Sequence, residues 1–364
     1  MLTLLFSALF FVFLSAVVLV WIARRARSFS HEQPLSDVPI GPVWLGRLTP
    51  VDPLHALATA VVVSALVGVG LVLVGIYFVR QYGWAVFVLT PFVMGFVSAS
   101  LVSYHRQATM ARCALAGSLA VVTAGLGFLA LGAEGLICLL MAIPIAVPVA
   151  FFGALVAFLV LRSRRGAVPA ALGMILCAAP LLLTVEPELL GTPVPYAVRT
   201  ATEIQAAPAT VWAHLIEFEP IAAPLDTWLF RAGVAYPISA RLAGKGVGAL
   251  RICEFSTGRF VETIRQWDEG RELMFTVDEA PPVLRELTPY EHVDPPHLQG
   301  YFLPESADFK LVALTSGRTR LEGASVYRNR MRPSIYWRLW SDAIVRRVHR
   351  RVFEHIKQLA ETDR

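Results

Sequence analysis

The chain has 364 residues, 56% of them apolar and only 16% charged, with a formal net charge of +5. Soluble domains average roughly 45–50% apolar and about 25% charged, so this surplus exceeds what a water-soluble core hides, and part of the chain is expected in lipid. Disorder and a disulfide scaffold are excluded by the same figures, since apolar content is high and four cysteines are too sparse.

Runs of about 20 apolar residues, the length that crosses a ~30 Å hydrocarbon layer, recur in the first half of the chain. Six are found, at residues 2–22, 58–79, 84–104, 113–132, 136–161 and 167–185, and none contains Asp, Glu, Lys or Arg. The first lacks a basic leader and a small-residue cleavage site and is followed by Arg24, Arg25 and Arg27, which reads as an uncleaved anchor. Pro39, Pro42, Trp44, Leu45 and Pro50 suggest an ordered interfacial segment ahead of the second run, with Asp52 and Pro53 as helix N-cap and first helical residue. The fifth run carries Pro144 and Pro148, so a tilted or kinked helix is expected.

Charge divides the chain at the same place. Residues 1–185 hold ten Lys and Arg against four Asp and Glu, a balance of +6, and residues 186–364 hold 22 against 23, a balance of −1. The net charge therefore flanks membrane helices, and no nucleic-acid surface is expected. Connections after runs one, three and five carry nine arginines, and those after two and four carry only Arg80. The positive-inside rule then puts the N-terminus outside, the arginine loops in the cytoplasm and the C-terminal domain in the extracytoplasmic space. The expected setting is an integral multi-pass protein of the bacterial inner membrane. With only hydroxyls such as Ser64, Thr90, Ser98, Ser100 and Thr123 inside the runs, and small residues such as Gly68, Gly117 and Gly125 at packing positions, an anchor or scaffold bundle is expected, with a pathway for a neutral substrate as the alternative.

Residues 186–197, with Pro187, Pro193 and Pro195, read as a short linker, and residues 198–364 as one domain. Residues 198–205 suit a strand, and Ala207-Pro208 opens a helix carrying Val211, Trp212, Leu215 and Ile216. From Ile238 onward short β-like runs alternate with Gly-containing turns: 249–255, 259–267, 271–277, 309–314 and 318–327. From Pro333 to Thr362 no further Gly or Pro occurs, and Trp337, Trp340, Ile344, Val348, Val352, Ile356 and Leu359 recur at helical spacing. The opposite face of this long helix is assigned Arg338, Arg346, Arg347, Arg350, Arg351 and Lys357, as a solvated face or one that meets lipid headgroups. The fold class expected is thus a membrane all-α bundle of about six transmembrane helices followed by an α+β helix-grip domain, an antiparallel sheet wrapped on a long C-terminal helix.

That order of elements, with the stretch 203–218 (strand, Ala207-Pro208, Val211-Trp212, Leu215), the hairpin 251–267 and the closing helix 336–356, resembles the START-related, birch-pollen-allergen-like SRPBCC superfamily and its polyketide cyclase/dehydrase-type members. The resemblance implies a hydrophobic cavity between sheet and helix for lipids, sterols, quinones or polyketides. It carries over no catalytic residue, because none is shared across the superfamily.

Pairing Phe255 with Phe260 would put Arg251, Cys253, Phe255, Phe260, Glu262 and Ile264 on one face, with Arg251 and Glu262 as diagonal neighbours. In a cavity these two would orient a polar head group or act as acid and base. His297, with Tyr301 after it, is a further acid/base candidate, so Glu262 and His297 are the candidate catalytic residues. Tyr327, Trp337 and Trp340, with Arg251, Glu262, His297 and Tyr301, are the expected ligand contacts. No metal-binding pattern is present, Gly244-x-Gly246-x-Gly248 runs into a strand and lacks the helix that holds a pyrophosphate, and no cofactor is expected. Membrane lipids and a hydrophobic small molecule are the expected partners. The leading functional expectation is a membrane-tethered binding protein for a lipid- or isoprenoid-like molecule. A cyclase- or dehydratase-like enzyme, and a bundle regulated by its C-terminal domain, are the alternatives.

Overall fold

A computed structural model describes residues 46, 49–80, 82–163, 170, 173–174, 185, 191–291, 293 and 295–363. They fall into two compact units, one of residues 1–191 with 287–296 and one of residues 192–286 with 297–364.

The first unit is helical. Helix α1 (Pro53–Leu73) starts where the Asp52 carboxylate accepts the amides of Leu54 and His55, both at 3.0 Å, so two of the unpaired N–H groups of the first turn are satisfied. It continues into a π-helical turn, Val74–Val79. A second π turn, Ala85–Leu89, opens α2 (Thr90–Val102), and α3 (Met110–Ala130) and α4 (Leu136–Ser163) follow. The four spans Pro53–Val79, Ala85–Val102, Met110–Ala130 and Leu136–Ser163 are long and apolar enough to cross a membrane. The expected helices 2–22 and 167–185, and the segment before Asp52, lie almost wholly outside the described residues.

Helix α2 is enclosed by the other three: every residue but Phe92 is buried. Glycine makes this possible. A Cβ on Gly95 would fall 1.8 Å from the Ala150 carbonyl oxygen, and one on Gly153 would fall 2.1 Å from that of Phe92, so α2 and α4 touch backbone to backbone. Helix α4 runs as one element through Pro144 and Pro148. Residues Leu287–Pro296 belong to this unit: Leu136 N donates to Leu287 O at 2.9 Å, and the Tyr290 hydroxyl donates to Ala130 O.

The second unit is a seven-stranded antiparallel sheet of order β1-β7-β6-β5-β4-β3-β2. Its strands are β1 (Tyr196–Ile204), β2 (Pro237–Ala243), β3 (Leu250–Phe255), β4 (Gly258–Asp268), β5 (Glu272–Glu279), β6 (Phe302–Ala313) and β7 (Thr319–Asn329). Register shifts in the β2–β3, β4–β5 and β6–β7 pairs mark bulges, which bend and twist strands and let a sheet curl. Between β1 and β2 lie α5 (Pro208–Ile216), opened by proline at its first position, and the short α6 (Trp228–Ala232). Helix α7 (Ser334–Thr362) closes the chain. The result is a curled half-barrel gripping α7, a helix-grip architecture.

Two local readings are corrected. Strand β6 begins at Phe302, well before the expected residue 309, because Pro304 sits at the register shift between Pro304 and Ser306, where a missing amide interrupts no regular ladder. Helix α6 was not expected at all; its cap is the Thr227 hydroxyl accepting from Leu229 N.

The core lies between sheet and helices. Ile204, Leu215, Ile264, Leu273, Leu321, Phe353 and Ile356 are fully enclosed, and Trp212 packs edge-on against Trp267 at 5.3 Å. Strand β7 has no side chain at Gly323, and the Phe353 ring of α7 occupies that space: a Cβ there would lie 2.6 Å from Phe353 Cζ and 3.0 Å from Phe309 Cδ1.

Candidate functional site

Strands β3 and β4 are joined by the two-residue turn Ser256-Thr257, with Phe255 opposite Gly258. Gly258 takes φ +146°, a value that side-chain-bearing residues rarely adopt, which allows the tight turn. Phe255 therefore does not pair with Phe260. Register moves by two residues from the expected pairing, so the residues keep their face, and Arg251 stands directly opposite Glu262. The two are direct and not diagonal neighbours.

Both side chains are enclosed, with Arg251 at 3% and Glu262 at 6% exposure. Arg251 Nη1 donates to Glu262 Oε2 at 2.7 Å and is within 2.7 Å of Cys253 Sγ, while Arg251 Nε donates to the Ile216 carbonyl at 3.3 Å. The Cys253 thiol points at Glu262 Oε2 from 3.5 Å. The guanidinium lies 5.4 Å from the Phe275 ring centre and 6.0 Å from that of Phe309, so rings supply part of the solvation that water would. Burial pushes the Glu262 carboxyl above the usual carboxylate range, opposed by the Arg251 charge. It pushes the Cys253 thiol up as well, which leaves Cys253 a neutral thiol and not a nucleophilic thiolate. The group is a buried cation, a carboxyl and a thiol within aromatic walls, able to bind a small polar group or to exchange a proton with it.

A second polar cluster sits beneath α7. The Tyr327 hydroxyl donates to Asp342 Oδ1 at 2.6 Å, and the ring stacks on Phe302 at 4.8 Å. Burial and the Asp342 carboxylate raise the Tyr327 phenol, which stays protonated. About two turns further along α7, the ring nitrogens of His349 pair with Ser325 Oγ at 2.8 Å and Thr200 Oγ1 at 3.0 Å. Burial depresses this imidazole to about 4. Asn329 Nδ2 donates to Ser341 Oγ at 3.0 Å. Among the described residues the Arg251 and Tyr327 groups share no hydrogen-bond or ring partner.

His297 is buried in the 3₁₀ turn Pro296–Leu298, and burial depresses it to about 3, so it is neutral at physiological pH. Tyr301 precedes β6, half-buried, and its carbonyl accepts from Arg330 N at 2.8 Å. Trp337 is buried on α7, edge-on to Tyr336 at 5.2 Å, and Trp340 is half-buried.

Arg351 is not on the outer face of the long helix. It is 8% exposed and donates to the carbonyls of Pro237, Pro224, Ile221 and Ala223 at 3.1–3.5 Å, with the Tyr236 ring 5.6 Å away. Its reach along the helix lets the charge leave the apolar stripe and pin the loop after α5. The sequence offers no signal for this, because the loop and the first residue of β2 contribute only backbone carbonyls. The ring partners Phe275 and Phe309 were equally unmarked, and only the register of β5 and β6 brings them to Arg251.

No family model matches the chain, and no curated protein matches it. Solved structures similar to it include a protein from Nitrosospira multiformis (16% identity, 46% of this chain and 100% of that one, TM-score 0.30). Two others are the norcoclaurine synthase of Thalictrum flavum in complex with dopamine and hydroxybenzaldehyde (10% identity, 48% and 90%, TM-score 0.31) and the Zhui aromatase/cyclase of Streptomyces sp. R1128 (14% identity, 46% and 94%, TM-score 0.31). The helix-grip architecture stands on strand order, register and helix placement in this chain.

Proposed function

We propose that this chain is a membrane-tethered binding protein for a hydrophobic small molecule, lipid- or isoprenoid-like, whose polar end is oriented by Arg251 and Glu262 inside the grip of the sheet and α7. The observation that carries the reading is the fully enclosed Arg251–Glu262 pair with its Phe275 and Phe309 walls. A buried ion pair is a poor stabiliser compared with apolar residues of the same volume, so its placement in the core argues for recognition. Tyr301, Tyr327, Trp337 and Trp340 are the proposed apolar and aromatic contacts, with His297 as a neutral imidazole.

The tether is proposed to be the apolar bundle with six crossings. The apolar run at 167–185 is the proposed sixth crossing, and the arginine distribution favours an extracytoplasmic C-terminal domain.

The raised Glu262 carboxyl favours a second reading, an enzyme of the cyclase or dehydratase type in which Glu262 exchanges a proton with a hydrophobic substrate. Native mass spectrometry of the detergent-released full chain separates the two. A co-purifying hydrophobic molecule that is lost in the Arg251→Met/Glu262→Met double variant supports binding. Conversion of that molecule by the wild type, abolished in Glu262→Gln, supports the enzyme, and an unliganded wild type overturns both.

A further inference from the structure

The outward face of α7 carries a feature that ligand binding does not use. Ile335 and Leu339, one helical turn apart, are 75% and 67% exposed, the only exposed large apolar side chains on this helix. Arg338, Arg346 and Arg350 are exposed on the same element, and Arg330 is exposed on the loop that leads into it. Between Arg330 and Arg350 the sequence has six arginines and one acid, Asp342. That acid is buried, accepts the Tyr327 hydroxyl, and has Arg338 at 3.3 Å and Arg346 at 3.9 Å, so a surplus of positive charge lies along the stretch that carries the two aliphatic side chains. Tyr336, half-buried at the position after Ile335, is a residue type that favours the membrane–water interface.

We propose that this end of α7 seats on a bilayer surface containing anionic lipid, with Ile335 and Leu339 entering between headgroups and Arg330, Arg338, Arg346 and Arg350 meeting their phosphates. Charge complementarity selects this occupant: an exposed aliphatic pair on an arginine-rich helix matches an apolar layer bordered by phosphates. A second copy of the chain matches poorly, because a two-fold contact through this face would oppose arginine to arginine. A bilayer is also within reach of this domain, since the same chain carries four helices able to cross one. The proposal rests on the bundle reading given above.

The test uses the full chain in lipid nanodiscs, with Leu339→Cys labelled by a small fluorophore and quenched by nitroxide-bearing lipid. The identically treated wild type is the blank for its own cysteines. Several-fold quenching is expected in phosphatidylcholine discs containing phosphatidylglycerol, falling to background in pure phosphatidylcholine, at high salt, and in an Arg338→Gln/Arg346→Gln/Arg350→Gln variant that keeps its melting temperature. Val312→Cys, on another exposed aliphatic position at 45%, is expected to stay unquenched. Absence of quenching at residue 339, equal quenching in neutral discs or at residue 312, or a cross-link between two copies through residue 339, would each overturn the proposal. Failure of the chain to enter discs overturns this proposal together with the bundle reading, whereas incorporation without quenching overturns the surface contact alone.

Discussion

Arg251 and Glu262 face each other across β3 and β4 with 2.7 Å between Nη1 and Oε2, and both are buried. Removing either partner leaves a buried charge without its counter-ion. Glu262→Met or Arg251→Met is expected to cost about 3–5 kcal/mol, while Arg251→Met/Glu262→Met is expected to cost less than the sum of these two single changes. Thermal unfolding of the four chains in a double-mutant cycle checks this. Additive losses would mean that the pair is not energetically coupled.

Gly323 and Phe353 set the spacing of α7 on the sheet. Gly323→Ala puts a methyl group 2.6 Å from Phe353 Cζ, and overpacking of this kind costs about 1–3 kcal/mol. Adding Phe353→Leu, which withdraws the far end of the ring, is expected to return part of the loss. The readout is the melting temperature of single and double variants, and a Gly323→Ala chain as stable as wild type would contradict the close contact.

The buried imidazole of His349 gives a sign to the pH dependence. Its folded value of about 4 lies below the ordinary 6.5, so below pH 6.5 the unfolded chain takes up a proton that the folded chain refuses. His349 therefore favours folding fully above about pH 6.5, and that contribution is lost progressively as pH falls toward 4. The difference in melting temperature between wild type and His349→Gln is expected to change with pH in this window and to be flat above it. His297, depressed to about 3 for the same reason, is expected to act in the same direction.

In the helical unit, Gly95→Ala or Gly153→Ala drives a methyl group into a carbonyl oxygen of the neighbouring helix. Backbone cannot move aside as a flexible side chain does, so α2 and α4 must separate. Each change is expected to lower detergent-phase melting by several degrees or abolish folded protein, whereas Gly70→Ala, which meets nothing within 4 Å, is expected to be neutral. Size-exclusion profiles and tryptophan fluorescence melts report the outcome.

Fusions at Arg364 address the side of the membrane. Alkaline phosphatase there is expected to be active and a cytoplasmic fluorescent protein dark, as the arginine distribution requires. The reverse pattern would place the helix-grip domain in the cytoplasm.

Pattern alone was enough for the outline of this protein. Apolar runs marked the four described helices, Asp52-Pro53 marked the start of α1, and the apolar repeat at three or four residues marked α7. Those signals are local, because burial of one helix face or one strand face is written directly into residue order. The paired face of Arg251 and Glu262 was legible for the same reason: side chains alternate with a period of two, and the two-residue error in register preserved the parity. Tertiary structure decided what local order does not encode. The turn at Gly258 fixed which residue opposes which, the register of β5 and β6 brought Phe275 and Phe309 to the guanidinium, and four backbone carbonyls drew Arg351 inward from the basic face assigned to it. His349 acquired its two hydroxyl partners only when β1 and β7 met under α7. Each is a contact between segments distant in sequence, fixed by how the elements pack and not by the preferences of any one of them.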